Sequence, residues 1–159
     1  MKIKIICVGK IKEKFYKDAI DEYVKRLSRY ANIEICEVQD EKTPDKCSDI
    51  ERDLILSREG ERIRSKLKDS DYLVTLAIEG KKLSSEGLAD KLNNLFVSGV
   101  SSIAFVIGGS LGIDASIKRD ASFSISFSDM TFPHQLMRVI LLEQIYRAFK
   151  INAHEPYHK

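Results

Sequence analysis

Tryptophan is absent from the 159 residues, and cysteine and proline occur three times each. Cys7, Cys36 and Cys47 are odd in number and lack CxxC spacing, which argues against a disulfide framework or a cysteine-rich metal module. Cys7 and Cys36 fall inside β-like runs, where a thiol serves as core filler. No stretch approaches the roughly 18 apolar residues of a membrane span, and the N-terminus lacks a signal-peptide pattern, so a cytoplasmic protein is expected. A net excess of one sign of charge is also lacking, with 26 basic residues against 24 acidic ones. The net +2 does not by itself point to nucleic acid.

What is present suits one soluble globular domain spanning residues 1–159. Hydrophobic residues at 43% and charged ones at 31% separate the chain from disordered sequences, and its length suffices for a real core. The first thirty residues are locally basic, with Lys10, Lys12, Lys14, Lys17, Lys25, Arg26 and Arg29 among few acids. This run reads either as a phosphate-facing surface or as a solvated helix face.

Periodicity alternates between strand and helix. Lys2–Val8 is β-branched and ends at Gly9, and residues 13–30 follow as a helix with Phe15, Ile20, Tyr23, Val24 and Leu27 on one apolar face. A second strand covers Ile33–Val38, and a loop containing Pro44 leads to a highly charged, surface-lying helix over 49–68. Tyr72–Ile78 is nearly continuous in apolar residues, as expected mid-sheet, and Gly80-Lys81-Lys82 reads as a turn. Ser84 caps a helix to about Val97. Strands at Ile103–Ile107 and Phe123–Phe127 flank a short helix near Asp114–Lys118, and a long apolar helix closes the chain. This order predicts an α/β fold with a mostly parallel sheet flanked by helices.

Two loops stand at strand ends, where open α/β sheets bind ligands. Gly108-Gly109-Ser110-Leu111-Gly112 matches neither GxxxxGK[ST] nor GxGxxG. It permits close backbone approach to a ligand, and it equally suits an ordinary tight turn. The second loop, Ser128–Pro133, mixes hydroxyls with Met130 and Phe132. That mixture fits a flat ring such as adenine, or two apolar side chains tucked into the core. Arg138 falls within the apolar arc of the last helix and requires an anion, carbonyls or a carboxylate there, with His134 one turn earlier. A helix so apolar is buried or packs on a second subunit. The tail, His154 to Lys159, reads either as a frayed end or as groups that stack on a base and grip phosphate.

FVIGGSLG, SFSDMTFPHQLMRV, EQIYRAFKI and PYHK, together with VGKIKEKF and VTLAIEGKKLSSEGLA, closely resemble the RlmH family of SPOUT-class methyltransferases over essentially the whole chain. The resemblance implies S-adenosylmethionine as cofactor, no metal, and a homodimer whose C-terminal part forms a trefoil knot. It implies methylation of N3 of a pseudouridine in 23S rRNA of the large subunit, on assembled ribosomes. By the same resemblance, cofactor contacts fall on Leu76, Gly108 and Phe127, Ser128, Asp129, Met130, Thr131 and Phe132. Arg138, Tyr157 and His158 match positions near the target nucleotide. Ala77 departs from the family, which often carries an acid there, and Glu79 is the neighbouring carboxylate. Two non-enzymatic classes also fit the residues alone: a cofactor-sensing α/β module and a ribosome-binding protein.

Overall fold

Alternation along the first strand, β1 (Lys2–Val8), sets the layering. Ile3, Ile5 and Cys7 point to one side and Lys4, Ile6 and Val8 to the other, and all six are buried, as a central parallel strand requires. In the computed structural model, which describes all of residues 1–159, the remaining elements are α1 (Lys14–Leu27), β2 (Asn32–Val38), α2 (Asp49–Arg64), β3 (Tyr72–Lys82), α3 (Ser85–Val97), β4 (Ser102–Ile107), α4 (Ala115–Asp120), β5 (Phe123–Ser126) and α5 (His134–Asn152). The sheet order is β2-β1-β4-β3-β5, with every neighbouring pair parallel. Helices α1, α3 and α5 pack on one face through Ile20, Leu27, Leu88, Leu92, Leu141 and Ile145. Ile63 of α2 and Ile117 of α4 cover the other face. No helix is long and apolar enough to cross a membrane.

Local chemistry explains the helix starts. Ser48 accepts from the Glu51 N–H while the Glu51 carboxylate accepts from the Ser48 N–H at 2.8 Å, a capping box that fixes the start of α2. Ser84 caps α3 as the sequence suggests. Lys4, inside the sheet, donates to Asp71 at 2.6 Å and to the Lys66 carbonyl at 3.1 Å. Asp71 also accepts from Ser102 at 2.5 Å, so the buried ammonium meets a fully engaged carboxylate.

The structure departs from the sequence reading at three places. Phe15 is 64% exposed. At about 100° per residue it lies roughly 140° from the buried Ile20, off the apolar face on which it was expected. In α2, where the sequence offers a thin apolar seam of Ile50, Leu54, Ile55, Ile63 and Leu67, only Ile55 and Ile63 are buried, while Ile50 and Leu54 face water. Gly80-Lys81-Lys82 is strand and not turn: Leu76 and Lys81 both oppose Ile125 of β5, with an irregular excursion between them. A β-carbon on Gly80 would stand 2.6 Å from the Ile125 carbonyl carbon, so β3 and β5 approach as only glycine allows. Gly80→Ala should therefore destabilise the fold by about 1–3 kcal/mol through forced separation of the two strands. Denaturant unfolding measures this, and an unchanged midpoint would mean that the strands part without cost.

Candidate functional site

Because all five strands run the same way, their carboxyl ends share one edge, and the excursion within β3 meets the loops that follow β4 and β5 there. They enclose a cleft of about 420 Å³, a size that takes a small organic ligand. Leu76, Gly108, Phe127, Ser128, Met130, Thr131 and Phe132 all line it. Asp129 does not, because its carboxylate turns outward to Lys82 at 2.5 Å.

The glycine loop is folded tightly upon itself. A β-carbon on Gly108 would lie 2.3 Å from the Gly112 carbonyl oxygen, and Gly112 has φ of 92°. From outside, Ser110 and Thr43 hydroxyls meet at 3.0 Å, and Arg52 of α2 donates to the Leu111 carbonyl at 3.4 Å. The second loop is pinned by Ser128, whose hydroxyl accepts from the Met130 N–H at 3.0 Å and whose carbonyl accepts from Ser126 at 3.1 Å. Met130 is 74% exposed and Phe132 37% exposed. These side chains form the rim of the cleft and do not fill the core, against the reading in which both are tucked inside.

Arg52, Ile78 and Lys118 of the wall were not singled out from sequence: Arg52 arrives from α2, Ile78 comes with Glu79 from the excursion in β3, and Lys118 of α4 pairs with Glu79 at 2.7 Å. Glu79 is held below the usual carboxylate range chiefly by that lysine. His134, the first residue of α5, also lines the cleft, half-buried and without a hydrogen-bond partner on the protein. Burial, and then the nearby Arg138 charge, lower its pKa, so the ring is neutral at pH 7. Its position one turn before Arg138 was the only available sign in the sequence.

Arg138 lies behind the cleft wall and not within it. It is 1% exposed and donates to Glu37 at 2.8 Å, to the Gly9 carbonyl at 2.7 Å and to the Val8 carbonyl at 3.3 Å, leaving only its Nε without a partner. The carboxylate and carbonyls that a buried guanidinium needs are thus supplied within the chain.

The tail is folded, not frayed. Tyr157 packs edge-on against Tyr146 with ring centroids 5.0 Å apart, donates to Glu143 at 3.1 Å and lies under the Arg147 guanidinium. Burial and the Glu143 charge push its phenol up to about 12, so it stays protonated and acts as a donor. His158 meets Glu86 of α3 at 2.7 Å and Arg147 at 3.3 Å. From His134 to Glu143 the helix rises about 14 Å at 1.5 Å per residue. The tail therefore stands well along α5 from the cleft of its own chain. Beside it, Leu136, Val139 and Ile140 leave the outer face of α5 only half covered.

The chain matches a family model described as a predicted SPOUT methyltransferase over residues 1–158. It is 60% identical to the ribosomal RNA large subunit methyltransferase H of Bifidobacterium animalis subsp. lactis, over all of both chains. It is 57% identical to the protein of that name from Acetivibrio thermocellus, again over the full length of each. A solved structure of a probable methylase family protein from Haemophilus influenzae Rd KW20 superposes with a TM-score of 0.54 at 14% identity, covering 99% of this chain and 70% of that one, a likeness of fold.

The lowered pKa of His134 makes a prediction for stability. Below its ordinary value of 6.5 the unfolded chain takes up the proton first, so folding stability falls as the pH drops through the lower, folded value. Thermal melts between pH 7 and 5 should show a smaller acid loss for His134→Asn than for wild type. Parallel losses would mean that the ring is not held neutral.

Proposed function

Since the chain belongs to the SPOUT methyltransferases, in the group of ribosomal RNA large subunit methyltransferase H, we propose that it methylates N3 of a pseudouridine in 23S rRNA. The proposed donor is S-adenosylmethionine, and the proposed substrate is the assembled ribosome, met in the cytoplasm. The observation that carries this reading is the convergence of both loops on one cleft of suitable size at the carboxyl edge of the sheet. Leu76, Ile107, Ile125 and Phe127 offer apolar walls, and Ser128 and Thr131 offer hydroxyls, a lining that fits a purine nucleoside with a short polar chain.

The cofactor supplies a methyl group on a sulfonium centre, already a strong electrophile. The protein's share is to hold the target nitrogen in line and to accept its proton. Leu76, Gly108 and the 127–132 loop hold the cofactor, with Asp129 fixing that loop through Lys82. Arg138 serves as a positioning residue behind the wall. Released from Glu143, Tyr157, protonated at neutral pH, donates its one hydrogen bond to the base, and His158, released from Arg147 and Glu86, takes the N3 proton and passes it to solvent. Both act in the cleft of a second copy, because their place along α5 separates them from their own. The half-covered apolar face of α5 supports the homodimer, and the trefoil threading is proposed on the likeness to the SPOUT family alone. The small net charge suits a substrate presented by a ribosome more than capture of naked RNA.

Incubation with labelled S-adenosylmethionine and ribosomes lacking the modification should place label at N3 of one pseudouridine, chiefly on assembled ribosomes. Cofactor binding without label on any RNA would contradict catalysis and favour a sensing module. Gly108→Ala, whose new methyl meets backbone, should weaken cofactor binding at least about tenfold by calorimetry, about 1.4 kcal/mol. Unchanged affinity would remove the glycine loop from the site.

A further inference from the structure

Phe15 is the aromatic residue that the fold leaves most in water, at 64% exposed, and only the neighbouring Tyr16 ring supports it, with centroids 4.4 Å apart. Lys10 and Lys12 precede it in sequence, both exposed and neither in an ion pair, while Lys14 is taken by Asp18 at 2.6 Å and Lys17 lies across the helix. Glu13 is the sole acid between Gly9 and Lys17.

The segment is held in place. The Ile11 N–H donates to Glu37 at 2.8 Å, the same carboxylate that binds Arg138, and the Lys12 N–H donates to the Gln135 side chain at 3.4 Å. Gln135 follows His134, a wall residue of the cleft. The β1–α1 loop is therefore tied to the first turn of α5, at the same edge of the sheet as the candidate site.

Resting on the RNA substrate proposed above, we infer that residues 10–15 form a docking surface for a splayed or single-stranded rRNA segment beside the cleft. Phe15 stacks on an unpaired base, and Lys10 and Lys12 neutralise flanking phosphates. Stacking on an aromatic face tolerates any base, and lysine meets phosphate as a mobile point charge, so this surface supplies position while the cleft supplies selectivity. A second copy of the chain is the other macromolecule that would cover an exposed ring. Paired about a two-fold axis, however, this patch would set lysines against lysines. The charges favour RNA.

Binding to assembled ribosomes by co-sedimentation over a salt series tests the surface, with cofactor affinity and oligomeric mass measured on the same proteins. Phe15→Ala should weaken ribosome binding about tenfold, within the range of one lost base stack, and Phe15→Trp should restore it, with cofactor affinity and mass unchanged. Replacing Lys10 and Lys12 together by alanine should flatten the slope of log affinity against log salt by about 1.4, with Lys17→Ala leaving it unchanged. Wild-type binding by Phe15→Ala would overturn the proposal, as would a loss accompanied by a change in oligomeric mass, which would assign Phe15 to a contact between copies. No ribosome binding by the wild type would overturn it too. Wild-type binding without methyl transfer would sink the proposed reaction alone and leave the Phe15 comparison to decide this surface.

Discussion

The Arg138–Glu37 ion pair ties together the edge of the sheet on which function depends. Arg138 brings α5 onto the last carbonyls of β1, and Glu37 adds β2 and, through Ile11, the loop that leads to α1. A guanidinium 1% exposed cannot lose this carboxylate cheaply: removing one partner of such a pair costs about 3–5 kcal/mol, because a charge is left buried. Replacing both by apolar residues would cost less, so the pair is better understood as fixing geometry than as adding stability. It sets where α5 begins, and with it the placement of His134 in the cleft wall and of Gln135 against the lysine-bearing loop. Cys7 lies in the same layer, its thiol pushed up to about 12 by burial, and is inert filler.

The cleft and the tail belong to different ends of α5. The first turn of that helix contributes a wall residue, whereas its second half receives Tyr157 and His158. The tail is ordered by ionic and aromatic contacts that leave its polar groups near the surface. Glu155 bridges Lys150 and Tyr30, Tyr157 stacks under Arg147, and His158 reaches Glu86. Such partly exposed pairs hold a segment in place at small energetic gain. A tail placed in this way, beside a half-covered apolar helix face, suits the proposal that it finishes the site of a second copy.

Much of this was legible in the sequence because the decisive signals were local. Continuous apolar runs at 72–78 and 103–107 identified central parallel strands, and Ser84 marked a helix start. Two loops of unusual composition at strand ends located the cleft. Contacts between segments distant in sequence were not legible. Nothing in the composition of α2 places Arg52 in the cleft wall, and the Glu37 partner of Arg138 stands 101 residues away. Gly80 carries the ordinary signature of a turn, and only its 2.6 Å approach to Ile125 shows that the chain continues as strand. Phe15 misled for a simpler reason, since a spacing of five residues leaves the helix face that a spacing of three or four would keep. The overall likeness to known relatives covers the full chain, and the proposed roles of individual side chains come from that likeness, while the geometry gives only their placement.

The central claim is that each cleft is completed by the tail of another copy, and subunit mixing tests it most directly. One preparation carries Gly108→Ala and the other His158→Ala, each inactive alone, and the two are dissociated and reassociated in equal amounts. If tails serve the partner, each mixed dimer holds one cleft with both parts intact, and roughly a quarter of wild-type methyl transfer should return, since half the dimers are mixed and one of their two sites works. If each tail serves its own chain, no site in the mixture is whole. Methyl transfer that stayed at background after mixing would contradict the shared site.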